Sequence, residues 1–313
     1  MNKLHQLNTA IASRSIKIAM LALGIAVGAA GSAAALPNPP ITACGQTIST
    51  SGYYQVKGNL TASGTCITVA ASNVTIDILN TASSDPCNNT TISGSKLSGS
   101  AGIHIEPKVK NTFIQGENSV ITNFDYGIED EGTNSSGDDI NLSNNLTAGI
   151  ALLGTGGSFS NFFSGALQHS SGGNCSLPPP QEFGVYLDGG SGSQIFNGIT
   201  AGNDYGVFES GSTGSTVALM LSGSNIADGY QFNGGSKNYI YDDLAGTDSF
   251  IPLSGNDGFG INIISDTNDL ITDNTAGGNT DYDINAAGDS TCTSNTYWFN
   301  FADMPSTPCI NSK

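Results

Sequence analysis

Phe183-Gly184-Val185 and Tyr205-Gly206-Val207 are two copies of a phrase that recurs along the chain: an aromatic or small residue, a glycine, then Ile or Val. It returns at Ala101-Gly102-Ile103, Tyr126-Gly127-Ile128, Ala148-Gly149-Ile150 and Phe259-Gly260-Ile261, with looser echoes at Gly229-Tyr230 and Tyr282-Asp283-Ile284. Where neighbouring copies are uninterrupted, the glycines step by 25, 22, 22 and 23 residues. A fixed step of that size marks a stacked repeat, each copy being one structural unit laid on the last.

Between the glycines lie short β-type runs: Cys66-Ile67-Thr68-Val69, Val74-Thr75-Ile76-Asp77-Ile78, Gly102-Ile103-His104-Ile105, Ile140-Asn141-Leu142 and Gly260-Ile261-Asn262-Ile263-Ile264. Each is bounded by Gly, Ser, Asn, Asp or Thr, which reads as strand and turn. After residue 36 no stretch sustains a helical period with good helix formers. A repeat of this length holds roughly three strands, and successive coils would pair in parallel about 4.8 Å apart. From Cys44 to Phe301 there is room for roughly ten coils in one elongated domain.

The segments Cys44-Gly45-Gln46-Thr47-Ile48, Ser51-Gly52-Tyr53-Tyr54 and Cys66-Ile67-Thr68-Val69-Ala70-Ala71-Ser72-Asn73-Val74-Thr75-Ile76-Asp77 resemble the opening coils of right-handed parallel β-helix proteins. Asn295-Thr296-Tyr297-Trp298-Phe299-Asn300 is similar to their closing coils. The resemblance is to the pectin-lyase-like superfamily, particularly its NosD-like repeat members, and it covers about residues 41–303. It implies an all-β solenoid and says little about activity, because this fold hosts many functions.

Residues 1–35 have the layout of a cleaved secretory signal: Lys3, Arg14 and Lys17, an apolar run over 18–27, then Ser32-Ala33-Ala34-Ala35. Retention as a membrane anchor is the alternative, since 18–36 is nearly long enough to span. The domain is then 36–313. It keeps six lysines, no arginine and all 26 acidic residues, a formal charge near −20. Nucleic acid and anionic membranes are poor partners for such a chain. The expected location is exported: extracellular, cell surface or periplasm.

Cys44, Cys66, Cys87, Cys175, Cys292 and Cys309 all lie in the exported part and are expected in disulfides. Proximity along the chain favours Cys44–Cys66, Cys87–Cys175 and Cys292–Cys309. Three insertions interrupt the rhythm, at 82–95, 170–181 and 242–256; Cys87–Cys175 would join the first two into a lateral lobe.

Chemistry is harder to place. Gly137-Asp138-Asp139 resembles the paired aspartates of polygalacturonases, which activate water and protonate the leaving oxygen. That family's Asn-Thr-Asp occurs here only downstream, at Asn279-Thr280-Asp281, and its His and Arg motifs are missing. Turn chemistry explains the pair more simply. Asp242-Asp243 is the other candidate carboxylate pair. Lyases of this fold use Arg or Lys as base; Lys108, Lys110 and Lys237 read better as solvated surface. Calcium is the one candidate cofactor, with Asp266, Asp269, Asp281 and Asp283 as hard oxygen ligands alongside Glu129-Asp130-Glu131. Only His104 and His169 remain as mature histidines, which argues against zinc or copper.

The aromatics before the glycine (Tyr126, Phe183, Tyr205, Phe259) are expected to stack as an internal ladder, since each coil needs apolar filling. An outward sugar-stacking strip is the alternative. The sequence favours a non-catalytic surface or glycan-binding protein over a polysaccharide lyase or glycoside hydrolase. The partner in either case is a polysaccharide or cell-surface glycan.

Overall fold

The computed structural model describes residues 38–79, 90–166, 180–246, 254–289, 291–307 and 310, apart from the side chains at 117 and 118. Its strands fall into three columns, and every ladder in them is parallel. Sheet 1 is ten strands deep: Gln46–Ile48, Ile67–Val69, Ala101–Ile105, Tyr126–Asp130, Ala148–Leu152, Phe183–Asp188, Tyr205–Ser210, Tyr230–Asn233, Ile261–Ile263 and Ile284–Asn285. Sheet 2 runs from Gly52–Val56 to Thr296–Trp298, and sheet 3 from Leu60–Thr61 to Phe301–Ala302. Two long strands, Thr112–Thr122 and Ser136–Ser143, bend round a corner and serve both sheets 2 and 3. The chain therefore visits sheets 1, 2 and 3 in turn and climbs one rung per circuit, the architecture expected from the glycine step.

The core is a set of vertical stacks. In sheet 1 the column Ile67, Ile103, Ile128, Ile150, Val185, Val207, Tyr230, Ile261, Ile284 is buried throughout. Sheet 2 contributes Ile76, Ile114, Phe159, Ile195, Val217, Ile240 and Ile271. Sheet 3 starts with Leu60, Ile92, Ile121 and Leu142, then changes to Ser164, Thr200 and Ser222.

Close approach of the next coil's backbone explains the recurrent glycine. A Cβ on Gly127 would lie 2.6 Å from the Gly149 carbonyl, one on Gly149 2.8 Å from that of Gly184, and one on Gly184 2.5 Å from that of Gly206. On Gly206 it would overlap both Ser222 Oγ and the Gly229 carbonyl. The glycine column faces inward, where sheet 1 closes onto sheet 3: Gly102 and Gly127 meet Ile121 and Leu142, and Gly149, Gly184 and Gly206 meet Ser164, Thr200 and Ser222. Gly206→Val is expected to cost about 3 kcal/mol, because the Gly229 carbonyl and the buried Ser222 and Thr200 side chains leave nowhere to move. Chemical denaturation of the variant checks it.

Corners use left-handed backbone and amide ladders. Asn161, Asn197, Leu219, Asp242 and Asp273 occupy one corner column between sheets 2 and 3, all with φ between 50° and 57°. Asparagine tolerates this conformation; leucine pays for it. Inside the sheet 3 to sheet 1 corner, Asn203, Asn225, Asn256 and Asn279 bond one to the next, at 2.9 Å for Asn225–Asn256 and 2.8 Å for Asn256–Asn279. Buried amides stacked this way satisfy one another and the backbone of adjacent coils.

The Cys44–Cys66 disulfide is present, its ends 22 positions apart in sequence. Cys292 is also disulfide-bonded, while Cys87, Cys175 and Cys309 lie outside the described residues. The expected insertions are narrower than the sequence suggests. Thr91–Ser93 is a sheet 3 strand, Gln181 bonds Asn145 and Ser164 in the corner, and Asp242 and Asp243 belong to the regular corner before Leu244–Gly246. The cores of the proposed lobe, at 80–89 and 167–179, lie outside the described residues. Among the described residues no helix is long and apolar enough to cross a membrane.

Candidate functional site

The internal aromatic ladder expected from the sequence is not there. Strand alternation normally sends every second side chain to the same face. Gly184 and Val185 break that rule, because both face the interior: the Gly184 Cβ position meets Asn203 and Thr200, and Val185 is wholly buried in the core. The slip puts Phe183 on the outside with Tyr186. The same happens at Tyr205-Gly206-Val207, which places Tyr205 outside with Phe208. A second apolar cluster results, separate from the core, in which Phe183, Ala148 and Ala151 are buried beneath Tyr126, Leu153, Tyr186, Tyr205 and Phe208.

The rings pack as a continuous platform. Phe183 stacks on Tyr186 with centroids 4.9 Å apart at 18°, and lies 4.8 Å from Phe208. Tyr205 meets Phe208 edge-on at 5.3 Å and 70°. These separations suit aromatic pairs. Further along the same face Phe259 stacks on Tyr282 at 6.4 Å and 9°. In register with Tyr186 and Phe208 stand His104, Glu129 and Ala151 on one side and Gln231 and Asn262 on the other.

Carboxylates edge the platform. Asp125, Glu182 and Asp204 each precede a strand of sheet 1 by one residue, next to Tyr126, Phe183 and Tyr205. Partial burial raises the Glu182 carboxyl above its usual range, and the charges of Asp204 and Asp125 add to the rise. Burial pushes the Tyr186 phenol to about 12, helped by Asp188. Tyr205 is raised by burial and then by Asp228, Asp204 and Glu182; Tyr126 by burial and then by Asp125, Glu129 and Glu182. The register Tyr126, Ala148, Phe183, Tyr205 sets Asp125, Glu182 and Asp204 in one column beside those rings. Asp125 is held by the Gly99 amide at 2.6 Å and the Thr147 hydroxyl at 2.6 Å, and Asp228 by the Phe259 amide at 2.9 Å and Asn262 at 2.8 Å. At one end His104 Nδ1 lies 2.8 Å from Glu129 and Nε2 3.7 Å from Glu131. The Glu129 hydrogen bond is the main reason the imidazole's pKa is raised.

The carboxylates singled out from sequence lie elsewhere. Asp138 and Asp139 straddle the corner between sheets 2 and 3, remote in register from the platform. Asp138 accepts bonds from Ser160 at 2.7 Å and Asn161 at 2.6 Å. Asp139, at φ 57°, turns away into a cavity of about 460 Å³ shared with Asn141, Asn161, Phe163, Leu219 and Leu221. Its carboxyl is raised by burial and by Asp138. Asp242 is exposed in the same corner column, and Asp243 is buried beneath it, accepting the Met220 amide at 2.8 Å. Burial pushes Asp243 well above the ordinary carboxylate range.

The calcium candidates are divided between corners. Asp266 accepts from the Gly235 amide at 2.8 Å and Asn238 at 3.0 Å, and Asp269 from the Asn238 amide at 2.7 Å. Asp283 ends the asparagine ladder, accepting Asn279 at 2.9 Å and the Met304 amide at 2.9 Å, while Asp281 is exposed. Among the described residues no three His, Cys, Asp or Glu side chains are grouped to hold a metal ion.

The chain matches no protein-family model and no curated protein sequence. Solved structures do match. A point mutant of the periplasmic alginate epimerase AlgG superposes with a TM-score of 0.52 at 14% identity, over 82% of this chain and 72% of AlgG. The chain is a right-handed parallel β-helix. The Dettilon tailspike protein gp208 matches with a TM-score of 0.45 and 14% identity, and this chain spans 59% of that one. The A-module of the Azotobacter vinelandii mannuronan C-5 epimerase AlgE6 gives 0.42 at 10% identity, over 82% of this chain and 88% of the module. At such identities the likeness carries the fold, and no residue role crosses with it.

Proposed function

We propose that this chain is an exported, non-catalytic polysaccharide-binding protein that holds a glycan along the outer face of sheet 1. The observation that carries this reading is the ring platform of Phe183, Tyr186, Tyr205 and Phe208 turned away from the core. Contiguous apolar surface rimmed by polar groups marks binding sites on soluble proteins. Sugars present C–H faces that pack on rings and hydroxyls that bond to carboxylates and amides, and this face offers both in rows about 4.8 Å apart. The Cys44–Cys66 disulfide fits an oxidising compartment. The alginate epimerase among structures of this fold agrees with the reading but does not carry it.

A second reading, glycoside hydrolysis, is favoured by one observation: Glu182 is a raised carboxyl beside other acids, the pattern of a general acid. Incubating the protein with a glycan panel and assaying both retention and new chain ends separates the two. Retention without cleavage supports the binding role. Turnover that falls about 1,000-fold in Glu182→Gln while binding persists would establish the hydrolase instead.

A further inference from the structure

If sheet 1 binds a glycan, as proposed above, the charges around its outer face constrain what that glycan carries. The acids around the platform are Asp125, Glu182, Asp204, Asp228 and Asp188, with Glu129 and Glu131 at the His104 end. No lysine or arginine of the described residues is among them. Lys57 follows the first sheet 2 strand, Lys96 bonds Asn144 at the corner after sheet 3, and Lys108, Lys110 and Lys237 sit at the corner between sheets 1 and 2. Among the described residues His104 is the one basic group on the face, and it is paired with Glu129.

We infer that the occupant of this face is a glycan bearing free, protonated amino groups, an amino-sugar polymer and not a uronate. Charge complementarity decides between them. A uronate stacked on Tyr186 and Tyr205, the partly exposed rings over Phe183, would bring its carboxylate against Glu182, Asp204 and Asp125, in a neighbourhood partly shielded from water. Like charges there are strongly disfavoured, and no cationic side chain among the described residues offsets them. A glucosamine or galactosamine unit in the same place keeps the ring stacking and sets an ammonium among those acids. N-acetylation removes the charge and with it the preference.

The test uses matched polymers, β-1,4-glucosamine and α-1,4-galactosamine oligomers in free-amine and N-acetyl forms, with oligomannuronate as the anionic arm. Titration calorimetry is run at low salt without divalent cations. The expected result is that one free-amine oligomer binds at least ~10-fold tighter than its N-acetyl partner, about 1.4 kcal/mol. That advantage should shrink at high salt, and oligomannuronate should not bind. In a Glu182→Gln, Asp204→Asn variant the advantage should fall to within about twofold. Both residues lie on the surface, so an unchanged melting temperature confirms that the variant is folded. An N-acetyl or uronate oligomer that binds as well as the amine, and is lost in Tyr186→Ala, would overturn the charge inference while leaving the binding face intact. Failure of every oligomer to bind would overturn both.

Discussion

The protein should melt at a higher temperature at pH 4.5 than at pH 7.5, the gain coming from carboxyls that the fold has taken out of water. Burial raises Asp130, Asp228, Asp243 and Asp266 above the ordinary carboxylate range, carries Asp269 to about 7, and raises Glu209, which shares its buried site with Asp266. A group whose pKa is higher folded than unfolded binds its proton more tightly in the native state. Its stabilising contribution is therefore complete below the ordinary range near 3.8 to 4.5, and is lost as pH rises through the raised value. For Asp269 the window runs from about pH 4 to about pH 7. Its share is on the order of 2 kcal/mol, roughly half the full value for such a shift, allowing for solvent screening. The others add in the same direction, as does relief of repulsion in a strongly acidic chain.

One residue isolates the effect. Asp243 sits in the ladder that continues through Asn274 and Asn300, and each of those amides also donates to a carbonyl of the preceding coil, at 3.0 and 2.8 Å. Asp243 accepts the Met220 amide with Oδ1, but its buried Oδ2 has no partner among the described residues. Asp243→Asn restores the missing donor and removes a titrating group. It should stabilise the protein at pH 7.5 by about 2 kcal/mol and flatten the pH profile. Denaturant melts of both proteins at the two pH values check this; wild-type stability that falls steadily from pH 7.5 to 4.5 contradicts it.

The second large effect falls on binding. Tyr186→Ala with Phe208→Ala removes the two partly exposed rings that pack on Phe183, and leaves the core column Val185 and Val207 untouched. Glycan affinity should fall at least ~30-fold, on the order of 2 kcal/mol, because large rings at the centre of a contact carry most of its energy. The melting temperature should move only slightly. Asp139→Ala with Leu219→Ala, in the corner between sheets 2 and 3, should leave affinity unchanged, measured by the same titration.

Much of this architecture is legible in the chain. The glycine step gives the coil, the short β-branched runs give the strands, and Cys44 and Cys66 lie close enough in sequence to suggest their bond. The face of the aromatics is not legible, because period-two alternation assumes an unbroken strand. Gly184 and Gly206 each follow one outward ring and precede one inward residue while facing inward themselves, and that slip depends on the close approach of the next coil's carbonyl and of Thr200 and Ser222 in sheet 3, beyond the reach of a local pattern. Asp138 and Asp139 mislead for a related reason: adjacent in sequence, they are parted by left-handed backbone at a corner. The asparagine ladder does leave a signal. Asn203, Asn225, Asn256 and Asn279 step by 22, 31 and 23 residues, the first three lying three or four residues before the glycines at 206, 229 and 260.

Hydroxyl-radical footprinting with and without a retained glycan tests the central claim most directly, since it reports side-chain exposure ring by ring. Protection should fall on Tyr186, Tyr205 and Phe208, while Trp298, 53% exposed on the last coil, keeps its reactivity as an internal reference. Protection of Leu219 and Phe163 around the Asp139 cavity, with the sheet 1 rings still reactive, would contradict the account.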